Sequence, residues 1–268
     1  MTEVASNTAV VWTTDDRGVA TVTLNRPERN NAYNADMING LHLALDALGS
    51  TSDVRGVLIR GEGRFFQAGA DLKWLNSVRE QDADANITAS RATAAAVDRF
   101  NRLPIPTFAA VRGACIGGGT GLLAATDVVI AAQTAKFAIS EVRWGLTAAI
   151  IVPQLVDAIG VRQLRRYAVT GEMFNAAEAH RIGLVHEIVA DDALDARVDE
   201  IIAKTLENAP DAIAQTKAQT LGQGRGLMTP DLHEHLISAH AAKRQSAEAA
   251  EGMASFAEKR PARWAGEA

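Results

Sequence analysis

Four of the five residues from 117 to 121 are glycine, and no other feature constrains the fold of this chain as strongly. Glycine has no Cβ, so such a cluster allows turns and close contacts that other residues exclude. An apolar segment precedes the glycines and "LLAA" follows them, which predicts a strand, a tight turn and a helix. Three uses of this turn are open. It could bind a phosphate, pack closely against a neighbour, or present backbone N–H groups to a reacting atom.

The rest of the chain alternates between strand-like and helix-like segments. Residues 8–14 and 18–25 predict two strands around a turn, and residues 34–48 predict a helix capped by Asn34 or Asp36. The other predicted segments are strands near 54–63, 104–114, 127–132, 135–140 and 185–189 and helices near 69–75, 82–102 and beyond 192. This alternation predicts an α/β core. The helical last quarter predicts a separate subdomain, so we divide the chain into a core of residues 1–195 and a helical region of residues 196–268.

Composition and charge exclude several classes of protein. The 268 residues carry a formal net charge of -5 and no basic block, which does not favour binding to nucleic acid or to an anionic membrane. The single cysteine, Cys115, excludes an intrachain disulfide and a cysteine-rich zinc site, and the six histidines show no zinc spacing, so no metal is expected. Neither a signal peptide nor a membrane-spanning run is visible, and we expect a cytoplasmic protein.

A dinucleotide site is one interpretation of the glycine cluster. Residues 119–124 fit the loose pattern G-x-G-x-x-A, and an acidic residue, Glu141, follows about twenty positions later. That acidic residue should close the next strand, but the strand predicted over 127–132 ends well before Glu141. A single glycine fingerprint is weak evidence, and no P-loop pattern is present, so nucleotide binding is disfavoured.

A second turn of small residues occurs in "FFQAGAD", residues 65–71, again at the start of a predicted helix. Two such turns can each direct one backbone N–H group at the same point. A pair of converging donors forms an oxyanion hole, which stabilises negative charge as it develops on a carbonyl oxygen. Small residues are required because larger side chains would block the approach of that oxygen.

Several segments, taken together and in this order, resemble the enoyl-CoA hydratase/isomerase, or crotonase, superfamily. They are "LNRPERNNAYN" (24–34), "FFQAGADLKWL" (65–75), "VRGACIGGGTGLLAATD" (111–127), "KFAISEVRWGL" (136–146), "GEMFNAAEAHRIGLVHEIV" (171–189) and "GMASFAEKRPARW" (252–264). The resemblance covers nearly the whole chain. It implies an α/β fold with a crotonase-like spiral core of ββα units and a C-terminal helical subdomain.

The resemblance also implies specific catalytic residues. The oxyanion hole is assigned to the N–H groups of Ala68 and Gly118, which would hold the thioester carbonyl of an acyl-CoA as it becomes an enolate. Hydratases of the family carry two glutamates, and only the second is present here, as Glu141, because Gly121 stands in the position of the first. One carboxylate can still take a proton from water and return it to the α-carbon. The space vacated at Gly121 is expected to accommodate a bulkier or branched acyl group.

The acyl group is the least determined part of this prediction. "LTAAIIVPQL" (146–155) stands where many members have a glycine-rich segment, which alters the lining of the acyl pocket. The chain looks closest to bacterial hydratases of branched glutaconyl-type CoA esters, such as methylglutaconyl-CoA and isohexenylglutaconyl-CoA. Arg143 or Lys73 could pair with a distal carboxylate of such a substrate. The alternative is that both are solvated surface charges.

Coenzyme A enters only as part of the substrate, and no permanently bound cofactor is implied. The resemblance assigns contacts with it to the backbone of residues 68–73 and to Arg26 and Arg29, which could meet phosphates. Phe256 and Lys259 match a pair that reaches the CoA of a neighbouring subunit, so a homo-oligomer, a trimer or a dimer of trimers, is expected. The assigned CoA-binding residues are Arg26, Arg29, Gly69, Ala70, Asp71, Leu72, Lys73, Phe256 and Lys259.

Hydration of an enoyl-CoA is the favoured activity, and three alternatives remain. An enoyl-CoA isomerase would use Glu141 to move one proton between carbons. A feruloyl-type hydratase-lyase also keeps only the second glutamate, but it needs tyrosines, and Leu75 stands where one is expected. A non-catalytic family member is the third. Thioester hydrolysis is less favoured because the motifs contain no nucleophile, Cys115 being better explained as a small buried residue.

Overall fold

The computed structural model describes residues 9–223 and 247–265. Its main feature is a six-stranded sheet with the order β1-β2-β3-β4-β6-β9, in which β1 and β2 are antiparallel and the other pairs are parallel. The strands are β1 (Val10–Thr14), β2 (Val19–Leu24), β3 (Gly56–Gly61), β4 (Thr107–Val111), β6 (Val128–Ala132) and β9 (Glu187–Val189). Parallel strands joined through helices confirm the predicted α/β class.

The first two strands form the predicted hairpin, and the turn is held by an aspartate. The carboxylate of Asp15 accepts hydrogen bonds from the backbone N–H groups of Arg17 and Val19, both at 2.9 Å. This is the local side-chain bonding for which aspartate is favoured in turns. The register that results pairs Val10 with Leu24, so both apolar residues enter the core.

Four helices cover the first half of the chain: α1 (Ala35–Gly49), α2 (Leu72–Arg79), α3 (Ala83–Asn101) and α4 (Gly118–Ala124). Helix α1 begins as predicted, because the Asn34 side chain accepts a hydrogen bond from the Met37 N–H at 3.1 Å. Its predicted apolar face is buried in full, at Met37, Leu41, Leu45 and Leu48. The periodicity of the sequence therefore identified both the helix and its inner face.

A second, smaller sheet lies beside the glycine cluster and has the order β5-β7-β8. Its strands are β5 (Ala114–Ile116), β7 (Lys136–Ala138) and β8 (Met173–Asn175). The sequence did not predict β8, which pairs antiparallel with β7 over three residues. A three-residue strand carries no detectable alternation of apolar and polar positions, so only its partner defines it.

The second half is mainly helical, with α5 (Val152–Thr170), α6 (Ala176–Arg181), α7 (Leu194–Leu206), α8 (Pro210–Gln223) and α9 (Ala247–Glu258). The predicted boundary between residues 195 and 196 falls within α7. Leu194, Val198 and Ile202 of α7 pack against the sheet with Phe108 and Ile130. This helix therefore continues the α/β body, while the division into two domains stays a prediction.

The helices after α7 are tied to the sheet by polar contacts. Lys217 of α8 donates hydrogen bonds to the Asp127 carboxylate at 2.7 Å and to the Ile105 carbonyl at 3.2 Å. The Arg55 guanidinium bonds the carbonyls of Leu206 and Trp264. In residues 9–223 and 247–265, no helix is both long enough and apolar enough to cross a membrane.

Candidate active site

The glycine cluster comprises Gly117, which joins β5 to α4, and the first residues of α4, and it packs too closely for side chains. A methyl group on Gly118 would lie 2.7 Å from the Cε1 atom of Tyr33, and one on Gly119 would lie 2.7 Å from the Oε1 atom of Gln67. Contacts this short exclude alanine without movement of the neighbours. Among the described residues, the Gly118 N–H at the start of α4 has no hydrogen-bond partner.

The second small-residue turn lies directly against the first. The Gln67 N–H donates to the Ala114 carbonyl at 3.1 Å, and the Ile116 N–H donates to the Gln67 carbonyl at 2.9 Å. A methyl group on Gly69 would lie 3.1 Å from the Ile116 carbonyl oxygen. These contacts confirm that the two turns predicted from separate parts of the sequence meet in space.

The assignment of Ala68 to the oxyanion hole is wrong. Its N–H group donates to the Asn30 carbonyl at 3.0 Å and is unavailable to a substrate. Gly69 then adopts a positive φ of 86°, which reverses the side to which the backbone groups point. As a result, the Gly69 carbonyl accepts from the Tyr33 N–H at 2.8 Å, and the Asp71 N–H donates to the Tyr33 carbonyl at 2.9 Å.

Ala70 takes the position that the sequence assigned to Ala68. Its own N–H points away from the ladder formed with Tyr33 and pairs with no residue in the described part of the chain. Both Ala70 and Gly118 line one large cavity. Ala70 and Gly118 therefore both border this cavity with an N–H group that has no partner in the described part of the chain.

Glu141 lines the same cavity and, unlike Asp71, which also lines it, forms no ion pair within the described residues. It begins a short 3-10 helix, Glu141–Trp144, immediately after β7. A methyl group on Gly117 would lie 3.2 Å from its Oε1 atom, and its Oε2 atom is buried without a hydrogen-bond partner in the described residues. Burial raises the pKa of the Glu141 carboxyl, although the nearby backbone N–H groups of Glu141 and Ser140 partly offset this effect.

Tyr33 is a cavity residue that the sequence analysis did not assign. Its ring lies over Gly118 and contacts Trp74 edge-on, with 5.8 Å between ring centroids. Burial, followed by the charge of Glu141, raises the pKa of Tyr33 to about 12. Only its position, directly before the helix cap Asn34, gave a signal in the sequence.

The expectation of free space beside Gly121 is also wrong. The Ile151 side chain fills it, since a methyl group on Gly121 would lie 2.3 Å from the Ile151 Cγ2 atom. Ile151 ends the 3-10 helix Ala149–Ile151 and is only 2% exposed. A carboxylate cannot be accommodated at position 121 in this packing, and neither can an acyl branch.

The cavity itself has a volume of about 690 Å³ and lies mainly between α1, α3 and the two turns. Its apolar walls include Ile38, Leu41, Val97 and Leu122, and its polar walls include Arg29 and Arg143. An apolar cavity with a few polar groups is the usual form of a site for a small organic ligand.

The residues assigned to CoA differ in whether they line the cavity. Gly69, Ala70, Asp71, Leu72 and Arg29 line the cavity, whereas Lys73 does not. The assignment of Arg26 to a phosphate is wrong, because its guanidinium pairs with Asp71 at 3.1 Å and bonds the Ala32 carbonyl. Each side chain of the Arg26–Asp71 pair is only 16% exposed, so both have a structural role at the start of α2.

Phe256 and Lys259 lie at the C-terminal end of the chain. Phe256 belongs to α9, and its side chain is outside the described part of the structure. Lys259 follows α9 and is exposed. Their contact with a neighbouring subunit stays a prediction.

Metal binding finds no support in the described ranges. Residues 9–223 and 247–265 contain no group of three or more histidine, cysteine, aspartate or glutamate side chains that could hold an ion. Of the six histidines, His233, His235 and His240 lie outside those ranges. Cys115 is fully buried in β5, and burial raises the pKa of its thiol well above its usual value.

Comparison with known proteins agrees with this geometry. Residues 14–267 match the family model described as enoyl-CoA hydratase/isomerase. The crystal structure of an enoyl-CoA hydratase from Shewanella pealeana is 32% identical, covers 96% of each chain and superimposes with a TM-score of 0.92.

Two relatives extend the comparison. The enoyl-CoA hydratase EchA19 of Mycobacterium tuberculosis is 34% identical over 72% of this chain and 73% of its own. The mevalonyl-coenzyme A hydratase of Aspergillus fumigatus is 30% identical over 91% of this chain and 90% of its own. The match to the family model, the crotonase-type fold and the site between the two turns lead to one conclusion: this chain belongs to the enoyl-CoA hydratase/isomerase family, the crotonase superfamily.

Proposed function

We propose that this protein adds water across the α,β double bond of an enoyl-CoA with a branched or bulky acyl group. One observation carries the proposal. The Glu141 carboxylate is half-buried, its Oε2 atom has no hydrogen-bond partner among the described residues, and it lines a cavity bordered by the free N–H groups of Ala70 and Gly118. A base beside two free donors is the arrangement that chemistry at the α- and β-carbons of a thioester requires.

The reaction follows from these three groups. The Ala70 and Gly118 N–H groups hold the thioester oxygen, and Glu141 takes a proton from water while the water oxygen bonds to the β-carbon. The electron pair of the double bond moves onto the thioester oxygen as an enolate. Glu141 then returns its proton to the α-carbon. Each oxyanion donor is worth roughly 3 kcal/mol of the barrier, and the acid–base group contributes about 10²- to 10⁴-fold.

The raised pKa of Glu141 suits both halves of this cycle. A carboxylate with a higher pKa is a stronger base towards water, and its protonated form is still acidic enough to return the proton to carbon. The missing partner at position 121 does not interrupt the cycle, because the same oxygen pair on Glu141 accepts and returns one proton.

The acyl group is expected to lie among Ile38, Leu41, Val97 and Leu122, not beside Gly121. These side chains give the cavity an apolar wall that suits a branched hydrocarbon group. The relative named for mevalonyl-CoA, a branched acyl thioester, supports this choice of substrate class.

A distal carboxylate on the substrate would have one candidate partner. Arg143 lines the cavity and forms no ion pair within the described residues, whereas Lys73 does not line it. We therefore extend the proposal to acyl groups of the glutaconyl type, with Arg143 as the cation that distinguishes them from neutral acyl groups.

The proposal includes a cytoplasmic homo-oligomer, a trimer or a dimer of trimers. Phe256 and Lys259 would then contact the CoA bound to a neighbouring subunit. Light scattering on the purified protein measures the oligomeric state. A Lys259→Gln variant is expected to raise the KM for acyl-CoA only if that contact exists.

The deciding experiment is a substrate panel of crotonyl-CoA, a branched glutaconyl-type CoA and feruloyl-CoA. Each is incubated with the wild type, with Glu141→Gln, and with Glu172→Gln as the control, because Glu172 pairs with Arg166 at the surface. The absorbance of the enoyl thioester and the mass of the product are both followed. We expect water addition in the wild type and in the control, and a loss of at least about 10²-fold in Glu141→Gln.

Each alternative gives a different result in the same panel. A shift of the double bond without a change in mass would indicate an isomerase. Release of a shortened thioester from feruloyl-CoA would indicate a hydratase-lyase. Binding without turnover of any substrate would indicate a non-catalytic member. Full activity in Glu141→Gln would contradict the role of that carboxylate.

A further inference from the structure

One hydrogen-bond acceptor and one donor in the cavity have no hydrogen-bond partner among the described residues. The Oε2 atom of Glu141 is a buried acceptor with no hydrogen bond in the described residues. The hydroxyl of Tyr33 is a donor, and it also forms no hydrogen bond within that part of the chain. A buried acceptor is rarely left unpaired in folded proteins, so a bound molecule is expected to pair with Oε2, and the Tyr33 hydroxyl is available to the same molecule.

The Glu141 carboxylate and the Tyr33 hydroxyl lie against two adjacent glycines, Gly117 and Gly118 respectively. The carboxylate touches the space above Gly117, where a methyl group would be 3.2 Å from its Oε1 atom. The phenol touches the space above Gly118, where a methyl group would be 3.3 Å from the Tyr33 hydroxyl oxygen. The two groups are also close enough for the charge on Glu141 to help raise the pKa of Tyr33, which keeps the phenol protonated as a donor.

The Tyr33 side chain is fixed in this position. Its backbone N–H and C=O both bond the 69–71 turn, its ring rests on Gly118, and Trp74 meets it edge-on. A side chain held at so many points loses little freedom when it binds a ligand, which is what precise placement of a small molecule requires. Ring packing alone would be served equally well by phenylalanine, so packing does not explain the hydroxyl.

We infer that Tyr33 is the second group that positions the reacting water, in place of the carboxylate that Gly121 cannot supply. This inference rests on the proposed function. The water donates one hydrogen bond to Glu141 and accepts one from the Tyr33 hydroxyl, which pairs both free atoms. During addition, the water proton passes to Glu141, the water oxygen bonds to the β-carbon, and Tyr33 keeps its own proton throughout.

The experiment uses Tyr33→Phe, which retains the ring and removes only the hydroxyl. Its matched control is Tyr167→Phe, since Tyr167, the only other tyrosine, donates its hydroxyl to Glu178 and does not line the cavity. Steady-state hydration of the best enoyl-CoA gives kcat and KM for both variants. A second assay follows exchange of the α-hydrogens of the matching saturated acyl-CoA in D₂O, which needs the oxyanion donors and Glu141 but no attacking water.

We expect Tyr33→Phe to lower kcat for hydration about tenfold to a hundredfold, which is the effect of losing one hydrogen bond to a charged or developing charge. KM, the melting temperature and the rate of α-hydrogen exchange should stay within about twofold of wild type, and Tyr167→Phe should hydrate at the wild-type rate.

Two results would overturn the assignment while leaving the proposed function intact. Unchanged hydration by Tyr33→Phe would show that the hydroxyl is not used. An equal loss of hydration and exchange would place its action on the thioester oxygen or on Glu141 instead of on water. If the wild type performs exchange but adds no water to any substrate, the proposed function fails, and the water-positioning role of Tyr33 fails with it.

Discussion

The two ends of the glycine turn have opposite environments. At Gly121 the turn is sealed, because the fully packed Ile151 side chain occupies the space where a side chain would project. At Gly117 and Gly118 the turn borders a large cavity and faces the unpaired polar atoms of Glu141 and Tyr33. The same residue type therefore permits close packing at one end and borders the cavity at the other.

This difference bears on the absence of the first family glutamate, whose position is occupied by Gly121 in this chain. A glutamate at position 121 would need the volume that Ile151 now fills, so its absence is part of a repacked wall and does not enlarge the acyl site. The polar atoms of Glu141 and Tyr33 lie at the opposite end of the glycine cluster. Four predictions test this contrast, beginning with the largest expected effect.

Gly118→Ala should abolish most activity. The added methyl group meets the Tyr33 ring at 2.7 Å, so the ring or the turn must move, and the oxyanion donor moves with it. We expect kcat to fall about 10²- to 10³-fold. Gly49→Ala is the control, since nothing lies within 4 Å of the added methyl group at the end of α1. Equal activity of the two variants would contradict the catalytic role of the turn.

Gly121→Ala should instead reduce stability. Its methyl group would lie 2.3 Å from Ile151 Cγ2, and overpacking of this kind costs about 1–3 kcal/mol. Denaturant unfolding measures the loss. The double variant with Ile151→Ala should be more stable than the sum of the two single changes predicts, by about 1 kcal/mol or more. If the free-energy changes of the two single variants simply add, Ile151 does not fill the space beside Gly121.

Arg26 and Arg29 should respond differently to replacement by glutamine. Arg26→Gln breaks the pair with Asp71, and we expect a loss of about 1.5–3 kcal/mol in the free energy of unfolding. Arg29 lines the cavity and forms no ion pair in the described part of the chain, so Arg29→Gln should leave stability unchanged. Its KM for acyl-CoA should rise by a few fold, as for one exposed charge pair. The reverse pattern would restore Arg26 as a phosphate contact.

The smallest expected effect concerns Glu141 and pH. Burial raises its pKa in the folded state, so the folded protein binds this proton more tightly than the unfolded chain does. The ionised carboxylate is therefore a cost to stability above the raised pKa, and the cost disappears as the pH falls through it. Glu141→Gln should melt slightly higher than wild type at neutral pH, and the difference should vanish in acid. A difference that grows in acid would have the wrong sign.

Much of the architecture was predictable from local patterns. The hairpin, the helix over 34–48 and the two turns of small residues all follow from apolar periodicity, caps and glycines, which act over a few neighbouring residues. The family was predictable because the motifs occur in the right order along nearly the whole chain. The same motifs indicated Glu141 as the candidate acid–base residue. The strand β8 escaped detection, since it is defined only by pairing with β7.

The errors share one physical cause, which is that each depended on a partner distant in the sequence. Ala68 and Ala70 are both small and lie on either side of one glycine, and only the bond from Ala68 to Asn30 and the positive φ of Gly69 decide which N–H is free. Nothing in the sequence indicates a partner for Arg26, whereas in the fold its guanidinium pairs with Asp71.

The sequence alone thus determined the fold class, the two turns and the candidate carboxylate Glu141, because short-range backbone preferences and motif order are properties of the chain itself. Only the tertiary structure decided which N–H groups face the cavity, that Ile151 closes the wall at Gly121, and that the Tyr33 hydroxyl lies near Glu141. Hydrogen-bond direction and the filling of space depend on atoms brought together from distant segments, and close packing leaves a single arrangement for them.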